Sequence, residues 1–296
     1  MDEIFLQLFN PLQYLNGLVS GMLLFIMAAG LSLIFGQMNV INLTHGGFYL
    51  IGSYIGYSMV TRFDNFWLAL LIAPIVVGIL GIVIERFLLS RFYGGNESHL
   101  KQVLLTFGMA LIIADFIEWQ WGATPLAFDP PELLGGTLPI FGVSFPIYRL
   151  ALIGFGLLLA LALWLFLERS RIGAIIRAGV SDATMVSGLG ININRVFTGV
   201  FVFGTMLAAL AGVIGAPVFA LRLGLDFDIL VLTLVVVVLG GLGTLKGAFW
   251  GALIIGMADT LGKAIIPQFS LFIIFAVMAV VLLIRPAGLF GLEGQH

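Results

Sequence analysis

Asn42, His45, Tyr49 and Ser53 follow one another at i, i+3, i+7 and i+11 in a long uncharged stretch. On a helix of 3.6 residues per turn they gather within about 80° of arc. Polar groups at membrane depth face protein or a water-filled passage, because hydrocarbon offers them no hydrogen bond. The stripe therefore reads as the lining of a solute route or as a helix–helix seam. Gly52 and Gly56 lie near the same face and would let a neighbouring backbone approach closely. Residue by residue the seam is favoured; taken as one face, the stripe is read as lining the route.

Other residues that could do chemistry lead away from catalysis. His45 is one of three histidines, with His99 and His296, and has no second ligand at a metal-type spacing. A proton relay would need an acid at the same depth, and Asp115 and Glu118 fall near the outer end of their segment. Asp259 is the deepest acid, and Lys263 four residues on forms an i,i+4 pair with it. The two read as a structural pair near the outer mouth, ahead of direct substrate contact. The run from Gly256 to Lys263 resembles a phosphate loop but has five residues between its glycines instead of four, and Ala264 stands where Ser or Thr is needed. Asp226 and Asp228 read as a helix cap rather than a metal pair. There is no cysteine, no His-Glu-x-x-His and no Gly-x-Ser-x-Gly. No catalytic residue, metal or cofactor is expected.

The elements that hold these residues must lie in lipid. The chain has 296 residues, 61% of them hydrophobic and 9% charged, whereas soluble domains run at about 45–50% apolar and roughly 25% charged. A net charge of −2 gives no electrostatic footprint for nucleic acid. Residues 4–61 carry no charge and hold two spans with a break near Phe35–Asn39. Further spans are placed at about 65–89, 101–121, 148–167, 196–221, 228–245, 247–265 and 268–285, each near the ~20 residues a bilayer requires. The expectation is an all-α polytopic protein, one membrane domain over 1–296, with nine spans and eight as the alternative. With the N-terminus outside, the inner side holds Arg86, Arg91, Lys101, Arg169, Arg171, Arg177, Arg195, Lys246 and Arg285, against Arg62, Arg149, Arg222 and Lys263 outside. That bias favours N-out and C-in. The proline-bearing loop 122–147 is then periplasmic.

Residues 168–195, on the cytoplasmic side, are too long for a simple connector. Ile172, Ile175, Ile176 and Val180 fall at helical spacing, while Arg171 and Arg177 face water or a partner. Ser181 or Asp182 can cap a second short helix carrying Met185, Val186 and Leu189. From these features alone, a helix lying on lipid headgroups and a helix seated in a partner's groove are equally good readings. Gly240, Gly241, Gly243 and Gly247 mark a turn or a close backbone crossing between two spans.

The loop resembles the coupling segment of Liv-type ABC importer permeases, the family of branched-chain and related amino acid importers. Three further stretches match in the same order: Gly30–Tyr54, Gly240-Gly-Leu-Gly-Thr-Leu-Lys-Gly-Ala248, and Arg285-Pro-Ala-Gly-Leu-Phe-Gly291. Ile229–Leu239 departs from the family pattern before the glycine cluster. The resemblance implies an ABC importer permease fold in the bacterial inner membrane. It also implies four companions: a second, homologous permease, two cytoplasmic ATPases and a periplasmic substrate-binding protein. Arg177, Ala178, Asp182, Met185, Leu189 and Gly190 occupy the positions of the ATPase-contacting segment. ATP hydrolysis would be the partners' work, and the solute a branched-chain or other small neutral amino acid. The competing reading is an ion-coupled secondary transporter.

Overall fold

A computed structural model describes residues 10–38, 42–92, 98–140 and 142–291. Its long helices are α1 (Pro11–Met38), α2 (Thr44–Phe63), α3 (Phe66–Phe87), α4 (Ser98–Trp121), α5 (Ile147–Arg169), α8 (Ile193–Gly215), α9 (Leu225–Gly240), α10 (Leu245–Ile265) and α11 (Ser270–Ile284). Two short helices, α6 (Arg171–Ser181) and α7 (Ala183–Gly188), separate α5 from α8. A two-stranded antiparallel hairpin, β1 (Thr137–Ile140) and β2 (Val143–Pro146), precedes α5. Because α5 runs from the hairpin to α6, those two features lie at opposite ends of the bundle.

Among the described residues, seven helices are long and apolar enough to cross a membrane: α1, α3, α4, α5, α8, α10 and α11. The protein is an all-α, multi-pass membrane protein. α9 has 16 residues, and α2 is diluted by Gly, Ser, Tyr and His. Both are nonetheless largely buried, so protein, not lipid, satisfies them. α1 is the most enclosed helix and packs along α10, α8 and α5, while α11, α4 and α5 form the rim. Leu71, Ile75, Ile79 and Ile82 on α3, and Leu158 and Leu161 on α5, point outward as a lipid-facing surface requires.

α1 continues through Phe35 and Gly36 and ends at Met38, within the stretch Phe35–Asn39 where the break is expected, and Asn39 lies outside the described residues. The span placed at 196–221 ends at Gly215. The chain then turns back, and Leu221 bridges to Leu126 in the connection after α4. The glycine cluster is a junction of three segments. Gly241 adopts φ +104°, a conformation that disfavours side chains. Leu289 and Phe290 donate their amides to the carbonyls of Leu239 and Gly240, at 2.9 Å each. Gly243 packs on the backbone of Gly36. Added methyl groups at Gly240 and Gly247 would strike each other's carbonyls.

Candidate functional site

The polar stripe sits on α2 and its approach, enclosed by α1, α4 and α8. Asn42, His45, Tyr49 and Ser53 are all buried. The Asn42 carboxamide oxygen accepts the Thr44 amide at 3.0 Å, and the Thr44 hydroxyl donates to the Thr106 carbonyl on α4 at 2.7 Å. His45 Nε2 lies 3.1 Å from the Met27 carbonyl on α1; a carbonyl only accepts, so Nε2 carries the proton. The Ser53 hydroxyl donates to the Tyr49 carbonyl at 2.9 Å. Gly52 packs on Ala209, and Gly56 on Val213, along α8. Opposite them, Gly212 and Gly215 receive Tyr49 and Ser53, and Gly30 and Gly204 bring α1 against α8 beside His45. His45 is thus tied to α1, Ser53 packs against Gly212 of α8, and Asn42 bonds within the approach to α2.

Tyr49 has a second neighbourhood. With α1, α9, α10 and the connection after α8, it borders a cavity of about 160 Å³. Leu23, Leu24, Ile229 and Leu232 give this cavity aliphatic walls. Its polar lining comprises Ser20 and two ion pairs. One is Arg222 to Asp228, 2.5 Å apart; the other is Lys263 to Asp259, 2.7 Å apart. Asp226 and Asp228 lie within the first turn of α9, where acids favour the helix dipole, and the N-cap itself is Gly224. That corrects their reading as the cap. Among the described residues, no three His, Asp or Glu side chains stand close enough to hold a metal ion.

At the other end, Ser170 caps α6 by accepting the Gly173 amide at 2.9 Å. Gly173 is essential to this corner, since a β-carbon there would meet the carbonyl of Phe166 at 2.5 Å and would also strike that of Leu167. The apolar face of α6 turns inward in part, with Ile176 buried while Ile172 and Val180 are 58% and 40% exposed. Ile176 packs with Leu167 and Val200, and with Ile172 and Ile175 it borders an apolar cleft of about 340 Å³ against α1, α5 and α8. Arg171, Arg177 and Ala178 lie on the outer face. Arg177 is 3.9 Å from Glu168, so its charge is shared within the chain. Asp182 closes one helix and opens the next. Its amide donates to the Ala178 carbonyl, and its carboxylate accepts the Met185 amide at 2.8 Å. Gly190, at φ +81°, ends the segment by turning its amide back to Ser187. Met185 and Leu189 are 69% and 77% exposed, while Val186 is buried.

The Asp182 cap makes a local prediction. Asp182→Ala should destabilise α7 by about 1 kcal/mol, and Asp182→Asn should retain most of the cap. Amide hydrogen exchange across 183–188 is then expected to quicken roughly fivefold in the alanine variant only. Equal exchange in both would remove the capping role.

These features coincide with clear relatives. The family described as the branched-chain amino acid transport system permease component matches residues 13–282. The chain belongs to this permease family. BraD of Pseudomonas aeruginosa, a high-affinity branched-chain amino acid transport system permease protein, is 30% identical over 94% of this chain and 95% of its own. LivH of Escherichia coli K12, of the same description, is 29% identical over 98% of both chains. Among solved structures, PsaBC of Streptococcus pneumoniae in complex with a Fab aligns at TM-score 0.49 and 16% identity, covering 91% of this chain and 89% of that one. That similarity is too slight to carry an argument.

Two features of this permease escape a reading of its sequence. One is Gly173, whose role shows only once α5 and α6 meet; the signal available was its place three residues after a helix-capping serine. The other is the cavity that joins Tyr49 to Asp259, Lys263, Arg222 and Asp228. Its parts are separated by up to 243 residues, from Ser20 to Lys263, and no local spacing links them.

Proposed function

We propose that this permease is the membrane subunit of an ATP-driven importer in the inner membrane, moving branched-chain or related neutral amino acids by alternating access. It crosses the bilayer nine times, with α2 and α9 as interior crossings, the N-terminus and hairpin outside, and α6, α7 and the C-terminus inside. Two cytoplasmic ATPases grip the α6–α7 segment, a second permease of the same family completes the route, and an external binding protein delivers the solute. The observation that carries this reading is α6–α7: two capped helices, anchored by an apolar face, that present Met185 and Leu189 to solvent. Exposed apolar side chains held on a structured support mark an interaction surface. The apolar cleft beneath α6 gives that helix room to rock against α8 when a partner pulls it. Arg171, Arg177, Ala178 and Gly190 frame the gripped surface. Asn42, His45 and Ser53 brace the helices that carry the route, which Tyr49 meets directly. The glycine junction of Gly240, Gly241, Gly243 and Gly247 ties α9 and α10 to α1 and to the C-terminal segment.

The test is co-purification followed by reconstitution. The chain is expected to bring down two ATPases, and leucine uptake by the assembled vesicles should require ATP when ion gradients are held constant. Uptake by the isolated chain under a Na⁺ or H⁺ gradient would establish the ion-coupled alternative instead.

A further inference from the structure

We infer that the cavity among α1, α9 and α10 is a zwitterion seat on the solute route, taking the ammonium and carboxylate groups of an aliphatic amino acid. This inference rests on the reading of the chain as an amino acid permease. Four charges border the cavity, two of each sign, and each is already paired: Arg222 with Asp228, and Lys263 with Asp259. An i,i+4 contact along α10 accounts for the second pair as helix stabilisation. It does not account for the first pair, Arg222 of the connection before α9 and Asp228 of α9, bordering the same space, nor for the aliphatic walls of Leu23, Leu24, Ile229 and Leu232 beside them.

A zwitterion suits this arrangement because it exchanges one set of ion pairs for another. Its carboxylate takes the place of an aspartate before Arg222 or Lys263, and its ammonium takes the place of a cation before Asp228 or Asp259. Every charge keeps an opposite partner throughout. A lone cation or anion would leave one protein charge uncompensated, and that penalty is concentrated at Asp259, whose side chain is 10% exposed, because the side chains of Arg222, Asp228 and Lys263 are 51–59% exposed. As a whole residue Asp259 is 7% exposed, so its stake in remaining paired is the greatest. The aliphatic walls receive a branched side chain. At about 160 Å³ the space is below the ~300 Å³ or more of a drug-sized pocket, fitting a single small solute.

The experiment uses the complete importer in nanodiscs and photo-leucine, a diazirine analogue of leucine. Irradiation is expected to label residues 19–24 and 229–232. Excess L-leucine should remove the label, whereas 3-methylbutylamine and 4-methylpentanoate, which carry one charge each, should not. A charge-swapped variant, Asp259→Lys with Lys263→Asp, keeps the helical ion pair and so keeps any purely structural role. ATP-driven leucine uptake by this variant is expected to fall at least about tenfold in an importer that still assembles. Labelling elsewhere, equal competition by the one-charge analogues, or wild-type uptake by the swapped variant would overturn the zwitterion seat alone. Absence of ATP-driven leucine uptake by the wild-type importer would instead overturn the functional reading on which it stands.

Discussion

Aspartate at both Met185 and Leu189 is expected to abolish ATP-driven uptake while leaving the membrane helices folded. Both side chains stand clear of the permease, at 69% and 77% exposed, so the free chain loses no packing when they change. The assembled importer loses much more. Burying a methionine or leucine side chain contributes about 1.5–3 kcal/mol, and two such anchors contribute about twice that. The replacement carboxylates also have to be desolvated in a groove suited to apolar groups. With each 1.4 kcal/mol worth about tenfold in affinity, association with the ATPases should weaken by roughly a hundredfold or more. Affinity capture of the ATPases and uptake by reconstituted vesicles check the result, with thermal unfolding of the permease alone as the control. Retention of both ATPases by the double variant would show that the motor grips another surface.

The structure of the α6–α7 segment is the part of the candidate site most legible from sequence, because its signals are local. The apolar spacing of Ile172, Ile175 and Ile176 gives α6, and Asp182 gives the cap of α7. The spans were legible where a helix meets lipid, since bulk hydropathy reports the solvent around it. α2 and α9 meet mostly protein, so neither has to satisfy a lipid criterion, and α2 carries His45, Tyr49 and Ser53 of the polar stripe for that reason, with Asn42 on its approach. α1 ends at Met38, inside the stretch where a break is expected, but Gly36 does not break the helix; its lack of a side chain serves contact with Gly243. The hairpin at 137–146 is not legible in the sequence: Pro139 discourages a strand, and two strands of four residues leave little alternation to detect. The cavity was beyond local reasoning altogether. Asp259 and Lys263 were visible as a pair, but that Arg222 and Asp228 face the same space depends on the chain turning back after Gly215 and restarting α9 at Gly224.

The seam between α2 and α8 makes the other large prediction, and here the distinction between backbone and side-chain neighbours decides the magnitude. A β-carbon at Gly52 would stand 2.5 Å from the Ala209 Cα and 2.8 Å from its carbonyl oxygen. Those atoms belong to a helix backbone and cannot rotate away, so the two helices must separate. Overpacking a well-filled core costs typically 1–3 kcal/mol even when side chains can adjust. Gly52→Leu is therefore expected to exceed that range, at about 4 kcal/mol, and to reduce both the folded yield and the uptake of the importer to background. At Gly56 the nearest atoms are the Val213 methyl groups, from 3.2 Å, which can yield slightly. Gly56→Ala should consequently lie near neutral, with the small clash set against the roughly 0.5–1 kcal/mol gained by replacing a helical glycine. Gly108 on α4 has nothing within 4 Å of an added β-carbon, and Gly108→Leu should leave stability unchanged within about 0.5 kcal/mol. Thermal unfolding of the three variants in one detergent measures the series. Wild-type stability for Gly52→Leu would mean that α2 and α8 do not meet at Gly52 and Ala209, and that the polar stripe on α2 has a different neighbour.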